Sequence, residues 1–206
     1  QEEIVEGLEK VAKKHKLKLI ADQRLLDEVT GMVESPSVLV GNIAQEFLKL
    51  PEEVLITSIR KNQRYFLMRD AKGKIANKFA VIADGEYLSK VGKNIIAGNE
   101  RVLKARLTDA VYFYECDKKK SLEDFLPFLD RMVFHKDVGN VAGRAKNIAA
   151  LAKFIAIWVP NANLLDIEIA AKLCKADLAS SMVGEFPQLQ GVMGYYFAKN
   201  DKLSNN

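Results

Sequence analysis

Four cationic and two aromatic side chains are concentrated in the segment SIRKNQRYFLMRD: Arg60, Lys61, Arg64, Arg69, Tyr65 and Phe66. Guanidinium and ammonium groups neutralise nucleic-acid phosphates, and an exposed ring can stack on an unpaired base. In the alternative interpretation the two rings pack inside the protein and the charges are only solvated. The segment therefore predicts either an RNA contact or an ordinary charged surface.

A helix is predicted after Gly98, because its apolar residues recur at three- and four-residue steps within one narrow arc: Leu103, Leu107, Ala110 and Tyr114. Arg101 and Lys104 lie roughly opposite this arc and are candidates for contacts with RNA or a partner. Arg106 lies closer to the apolar arc and three residues before Asp109, a spacing that allows an ion pair. We expect this pair to be partly buried and structural.

The sequence contains none of the common catalytic signatures GxxxxGK[ST], GxGxxG, GxSxG and HExxH. It has two histidines, and His15 lies among lysines, as expected of a surface residue. His135 has Asp137 and Asn140 nearby in MVFHKDVGN, which leaves a site open, although a structural role is favoured. We therefore predict no catalytic residue.

Asp177 lies one helical turn after Leu173, close to a predicted buried stripe. A buried carboxylate requires partners. These could be a metal or phosphate site, a neighbouring helix end, or a basic side chain. The last two are the structural interpretations and are favoured.

The formal charge of +4 over 206 residues permits contact with RNA without demonstrating it. Cys116 and Cys174 lack CxxC spacing, so no disulfide framework or zinc site is predicted and a reducing, cytoplasmic setting fits best. No apolar run reaches the roughly 18 to 20 residues of a membrane-spanning helix. The first residue is not methionine, which suggests an excerpt of a longer polypeptide.

The first half of the sequence predicts helices and an antiparallel sheet. Helices are expected at Glu2 to Lys14, around Leu25 to Val33, and in VLITSIRKNQ after Pro51. SVLVGNI reads as a short buried strand. RYFLMRD and KFAVIAD, separated by the turn Asp70 to Gly73, predict a hairpin.

The second half predicts helices alone. Ser121 and Asp124 form a capping-box pattern, and longer helices are expected at Val141 to Val159 and at Leu164 to Val183. The basic run at 118–120 is the predicted boundary. The fold class is therefore α+β: an alpha/beta region over residues 1–118, then an all-helical domain over residues 119–206.

Three stretches resemble the beta-subunit family of bacterial two-subunit glycyl-tRNA synthetases: PEEVLITSIRKNQRYF, AGNERVLKARLTDAVYFYECDKKKSLEDFLPFLDRMVFHKDVG and CKADLASSMVGEFPQLQGVMGYYFAK. The resemblance covers approximately residues 35–200. It implies a non-catalytic subunit of a ligase, partnered by an alpha subunit and tRNA(Gly) in a cytoplasmic alpha2beta2 assembly. In that family the alpha subunit uses ATP and magnesium, so no cofactor is expected here.

The resemblance also implies two domain identities. The first is similar to a module of the phenylalanyl-tRNA synthetase beta chain, and the second to the His-Asp (HD) phosphohydrolase superfamily. Metal binding there requires a His-Asp pair with a further His and Asp. The matching pair here is Ala176-Asp177, and only His135 could stand near another ligand. A degenerate site without metal is therefore expected, in a helical domain that need not be complete.

The leading hypothesis is a region that binds the tRNA acceptor end and contributes to assembly. Its candidate contacts are Arg60, Lys61, Arg64, Arg69, Arg101 and Lys104, and its structural residues are Arg106, Asp109 and Asp177. A metal-dependent HD-type phosphohydrolase and a helical protein-protein interaction module are the alternatives.

Overall fold

A computed structural model describes residues 1–85 and 90–204 of the chain. Its contacts divide the chain into two compact units, residues 1–111 and 112–206. The sequence-based boundary after residue 118 follows the last residue of a long helix, whereas the contacts divide within that helix. The fold class is α+β with a small antiparallel sheet, and the resemblance of the second unit to the HD superfamily stays a prediction.

The first unit contains a four-stranded antiparallel sheet in the order β1-β3-β4-β2. Its strands are β1 (Lys18–Leu19), β2 (Pro36–Asn42), β3 (Phe66–Arg69) and β4 (Ile75–Asp84). The predicted hairpin is confirmed as β3–β4. Its turn is stabilised by the Asp70 carboxylate, which accepts from the backbone N–H groups of Lys72 and Lys74, and by Gly73 at a φ of 78°.

Helices α1 (Glu2–Lys14) and α2 (Gln23–Thr30) cover the face of the sheet that carries Phe66 and Met68. The buried stripe of α1 has the predicted helical spacing and consists of Ile4, Leu8 and Ala12. The predicted second helix is confirmed, and it ends at Thr30, several residues before Pro36. The side chain of Asp22 caps its first turn.

The segment between β2 and β3 begins with a 3-10 turn, Gln45–Lys49, and continues as α3 (Glu52–Ile56). Pro51 is the residue before the first helical position rather than that position itself. A π-helical turn, Thr57–Lys61, extends α3, and Arg64 then adopts a left-handed φ of 56°. The predicted helix is thus confirmed, with a wider final turn that reverses the chain into β3.

Helix α4 (Lys90–Asp117) includes the GNERVLKARLTDAVYFYECD segment and crosses the division between the units. Leu103, Leu107 and Ala110 are buried as predicted, and Tyr114 is half-buried. The expected partial burial of Arg106 is wrong, because its side chain is exposed. The angular offset from the apolar arc is large enough to bring this long side chain into solvent.

The second unit contains five further helices and a small hairpin among the described residues. The helices are α5 (Leu122–Leu129), α6 (Val141–Ala156), α7 (Leu164–Leu173), α8 (Ser181–Glu185) and α9 (Val192–Asn200), with 3-10 turns at Ala176–Ala179 and Pro187–Leu189. The capping box at Ser121 is confirmed. No helix of the described chain has the length and apolarity needed to cross a membrane.

Two predictions about the second unit are wrong. The unit is not all-helical, because β5 (Val133–His135) and β6 (Gly139–Asn140) pair in an antiparallel hairpin with Gly139 at a φ of 103°. The helix predicted from Leu164 to Val183 is interrupted after Leu173 and restarts at Ser181. The Asp117 carboxylate accepts from the N–H groups of Ser181 and Met182, which fixes a new helix start there.

The sheet requires glycine at position 41. Gly41 on β2 pairs with Phe79 on β4, and a Cβ atom at Gly41 would lie 2.6 Å from Phe79 Cε1. Phe79 is fully buried and stacks on Tyr65 with 4.6 Å between ring centroids. The ring therefore has little freedom to move away.

We predict that Gly41→Ala lowers the free energy of unfolding by about 1–3 kcal/mol, because the added methyl overpacks the Phe79 ring. Urea unfolding followed by circular dichroism measures the change. Gly98→Ala is the matched control, since Gly98 lies in α4 and an added Cβ would meet no described atom within 4 Å apart from the backbone of that helix. The control should be neutral or stabilising by roughly 0.5–1 kcal/mol, and equal losses in both variants would contradict the packing argument.

Candidate nucleic-acid interface

The first predicted contact, Arg60, is bound to a carboxylate of the same unit. Its Nη2 donates to Asp22 Oδ1 at 2.7 Å, and its Nε also pairs with this side chain. The same Asp22 oxygen accepts from the Leu25 N–H at 3.0 Å at the start of α2. One carboxylate thus caps a helix and neutralises a candidate RNA contact.

Two further arginines are also paired. Arg64 Nε donates to Glu28 Oε1 at 2.5 Å, and both side chains are about half exposed. Arg69 holds Glu52 in a bidentate pair and donates to the Gly73 carbonyl at 2.7 Å. The hydrogen bond that Arg69 donates to the Glu52 carboxylate raises the pKa of Arg69 above its ordinary value. Both arginines therefore connect the ends of β3 to neighbouring elements.

Lys61 is the exception in this segment. It is exposed, and it forms no ion pair with any residue that the structure describes. Exposed ion pairs contribute only about 0–1 kcal/mol, so phosphate can replace Glu28 and Glu52 at low cost, whereas the Asp22 side chain is only 10% exposed. Lys61 is nevertheless the cation of this segment that requires no such exchange.

The two aromatic residues of the segment face the interior. Tyr65 and Phe66 are 4% and 2% exposed, which confirms the alternative in which they pack inside. The Tyr65 hydroxyl donates to Asn99 Oδ1 at 2.5 Å, and burial raises the pKa of Tyr65. Neither ring is available to stack on a base.

Helix α4 contributes the other two predicted contacts. Arg101 and Lys104 are exposed, and neither forms an ion pair within residues 1–85 and 90–204. Lys104 lines a groove of about 250 Å³ together with Glu100 and Phe47. Arg101 and Lys104 are therefore accessible, whereas the cations around β3 are mostly paired. The proposed pairing of Arg106 with Asp109 stays a prediction.

A second cationic surface surrounds His15 at the end of α1. Lys14 and Lys78 lie close enough to lower the pKa of His15, after the larger effect of its partial burial. Lys78 falls on the α1 side of β4 because it lies two positions from both Ala76 and Ala80, which pack in the core with α1. Sequence reasoning identified the lysines beside His15 and missed Lys78, although strand alternation would have indicated it.

Asp177 is 1% exposed and lies where the sequence predicted a buried acid. Its Oδ2 accepts from the N–H groups of Gly191 and Gly194 at 2.5 and 3.1 Å, at the start of α9. Its Oδ1 is buried without a hydrogen-bond partner in the described residues. The interpretation as a contact with a helix end is confirmed.

The residues compared with an HD metal site are not arranged as a ligand set. Ala176 occupies the imidazole position, and His135 is exposed on β5, where its Nδ1 accepts from the Asp137 N–H at 3.2 Å. The described residues contain no group of three or more His, Cys, Asp or Glu side chains able to hold a metal ion. The one buried carboxylate of this set, Asp177, serves as a helix cap.

Comparison with known proteins gives a consistent assignment along the chain. Residues 1–206 match the family model described as glycyl-tRNA synthetase beta subunit. Glycine--tRNA ligase beta subunits from Rickettsia felis and Rickettsia canadensis are 44% and 46% identical over 204 residues, or 98% of this chain. The Methylobacillus flagellatus protein of that name is 41% identical over 208 residues, or 100% of this chain. The chain spans about 30% of the length of these relatives.

We predict that Lys78→Gln raises the pKa of His15 towards its ordinary value of 6.5, because one of the repelling charges is removed. An NMR titration of the imidazole measures the change. Lys61→Gln is the control, since Lys78 and Lys14 are the charges that lower this pKa. An unchanged pKa in Lys78→Gln would contradict the proximity of the two side chains.

The lowered pKa of His15 also fixes the direction of a pH effect. The unfolded chain takes up a proton near pH 6.5, while the folded chain does so only at lower pH. The contribution of neutral His15 to the free energy of unfolding is therefore complete above pH 6.5. It is lost as the pH falls through the pKa of His15 in the folded chain.

We predict that Asp177→Ala lowers the free energy of unfolding by about 1–3 kcal/mol, because two N–H groups at the start of α9 lose their acceptor. Asp177→Asn retains one acceptor oxygen, so its free energy of unfolding should lie between those of Asp177→Ala and the parent. Asp124→Ala, which removes an exposed capping-box carboxylate, is the control and should cost about 0.5–1 kcal/mol. An Asp177→Ala loss no greater than the control would show that this carboxylate does not anchor α9.

Proposed function

Because the chain belongs to the glycyl-tRNA synthetase beta-subunit family, we propose that it helps to hold tRNA(Gly) in position for a catalytic alpha subunit. The observation that carries this proposal is the set of exposed cations in the first unit, of which Lys61, Arg101 and Lys104 form no ion pair with other described residues. These groups can approach RNA phosphates without first breaking a protein contact.

The proposal concerns a part of a larger enzyme. The chain spans about 30% of the length of its relatives, so ligation of glycine to tRNA is proposed for the complete cytoplasmic alpha2beta2 enzyme. ATP and magnesium act in the alpha subunit. This chain contributes by holding the acceptor end in a productive orientation, which reduces the entropic cost of its encounter with the alpha-subunit active site.

The paired arginines have a secondary role in this proposal. Arg60, Arg64 and Arg69 keep their carboxylate partners in the free protein, and a phosphate must compete with Asp22, Glu28 and Glu52 for them. Such exchange is feasible at Arg64 and Arg69, because their pairs are partly exposed and such pairs are weak. A paired arginine adds less affinity for RNA than an unpaired cation does, because its contact with phosphate replaces its contact with a carboxylate.

The metal-dependent phosphohydrolase hypothesis has no observation in its favour, because Ala176 replaces the metal-binding imidazole and Asp177 caps a helix. A protein-interaction role is favoured by the exposed apolar side chains of the second unit. We propose this role in addition to tRNA contact, since the cations and these apolar side chains belong to different units.

We predict that a Lys61→Glu, Arg101→Glu, Lys104→Glu variant of the complete two-subunit enzyme raises the KM for tRNA at least about tenfold, because three phosphate contacts become repulsive. The slope of log affinity against log salt should decrease by about one for each lost contact. Glycine activation, measured by ATP–pyrophosphate exchange, should remain at the parent level.

Lys93→Glu is the matched control, since Lys93 is an exposed cation of α4 outside the proposed set. A KM for tRNA equal to that of the parent would refute the contact set while leaving family membership intact. A loss of glycine activation together with tRNA binding would indicate disrupted assembly rather than lost phosphate contacts.

A further inference from the structure

Helix α6 carries a stripe of large apolar side chains on its solvent-facing side. Leu151, Phe154 and Ile155 are 59%, 64% and 48% exposed, and Trp158 in the following turn is 77% exposed. These four positions have the i, i+3, i+4, i+7 spacing of one helical face. A surface helix ordinarily directs such a face into a core.

Further exposed apolar residues follow in the connection to α7 and in the first turn of that helix. Ile157 and Val159 are 73% and 50% exposed, and Leu164 and Leu165 are 55% and 66% exposed. Helices α6 and α7 form an α-helical hairpin, and we name these eight residues on it the hairpin face. Six of these eight side chains are more than 50% exposed. Apolar residues on the surface of a monomer are ordinarily scattered singly, so a series of this length marks an interaction site.

The hairpin face is distinct from the contact between α6 and α7. The buried positions of α6 and α7 include the small residues Ala145, Ala156 and Ala171, which allow close packing of helices. Lys153 Nζ and Glu168 Oε1 form a 2.7 Å ion pair that joins the two helices. The bulky side chains therefore remain available for a second layer.

We propose that the hairpin face is the docking surface for further helical polypeptide of the same beta subunit, from the part of the longer relatives that this stretch does not span. The relatives are about three times as long as this chain, since it covers 30% of their length.

The chemistry of the hairpin face defines this occupant. It offers aliphatic and aromatic side chains, and the charges of Lys153 and Glu168 neutralise each other, so it is not suited to RNA phosphates. An amphipathic helix with apolar residues at three- and four-residue steps can interdigitate with it. A segment of the same polypeptide acts at a high effective concentration, which gives it an advantage over a separate molecule.

The inference depends on family membership and not on tRNA contact. It can therefore fail while the tRNA proposal stands, and the reverse is also true.

Trp158 provides the readout, because it lies within the hairpin face and is the only tryptophan of the 206-residue chain. Hydroxyl-radical footprinting with mass spectrometry would measure its labelling in the complete beta subunit, alone and with the alpha subunit. We expect labelling at least about tenfold slower than that of Tyr112, which is 64% exposed and outside the hairpin face, after correction for intrinsic reactivity. This protection should be present in the monomeric beta subunit and unchanged by the alpha subunit.

Three other results would overturn the proposal. Protection that disappears on dilution of the beta subunit would identify a second copy as the occupant. Protection that requires the alpha subunit would identify that subunit. Rapid labelling in every state would show that the hairpin face remains in solvent.

A pair of variants of the complete beta subunit gives an independent test. Ile157→Glu should lower the midpoint of thermal unfolding by several degrees, because it places a charge in the covered layer. Met32→Glu, at a 60% exposed apolar residue of the first unit, should leave the midpoint within about one degree. Equal midpoints in the two variants would overturn the proposal even if Trp158 were slow to react.

Discussion

The burial of strand β3 on both faces is the constraint on which the cationic surface of the first unit depends. Phe66 and Met68 pack in the core beneath α1 and α2, while Tyr65 stacks on Phe79. Cations adjoining such a strand cannot enter the core unpaired. Arg64 and Arg69 therefore emerge at its ends, where carboxylates of α2 and α3 hold them, while Arg60 in the preceding π-helical turn pairs with the α2 cap Asp22. Arg64 and Arg69, two of the candidate RNA contacts, also fasten the strand.

Features set by short-range signals were predictable from the sequence, and features set by distant partners were not. The β3–β4 hairpin and the Ser121 capping box depend on residues within a few positions of each other. The carboxylate partners of Arg60 and Arg64 lie 38 and 36 residues away. The start of α8 also depends on a distant partner. Asp117, 64 residues earlier in the chain, accepts from the Ser181 N–H.

Two buried carboxylates organise the second unit through backbone contacts. Asp117 accepts from the start of α8, and Asp177 accepts from the start of α9. Each negative charge lies at a helix N-terminus, where N–H groups and the helix dipole compensate the loss of hydration. The sequence could predict a buried acid at Asp177 from its spacing, but not its partners. Such a site uses the carboxylate for folding, so a buried acid alone does not indicate catalysis.

The separation of paired and unpaired cations bears on how much tRNA affinity this stretch can supply. In the proposed function, unpaired Lys61, Arg101 and Lys104 would add new contacts with phosphate, whereas a paired arginine would first release a carboxylate and so add only the difference between two similar interactions. A few phosphate contacts give modest, salt-sensitive binding. In this proposal the stretch orients one end of an RNA rather than retaining it alone. That division of labour fits a chain that covers about 30% of its relatives, because the remaining polypeptide can supply the rest of the affinity.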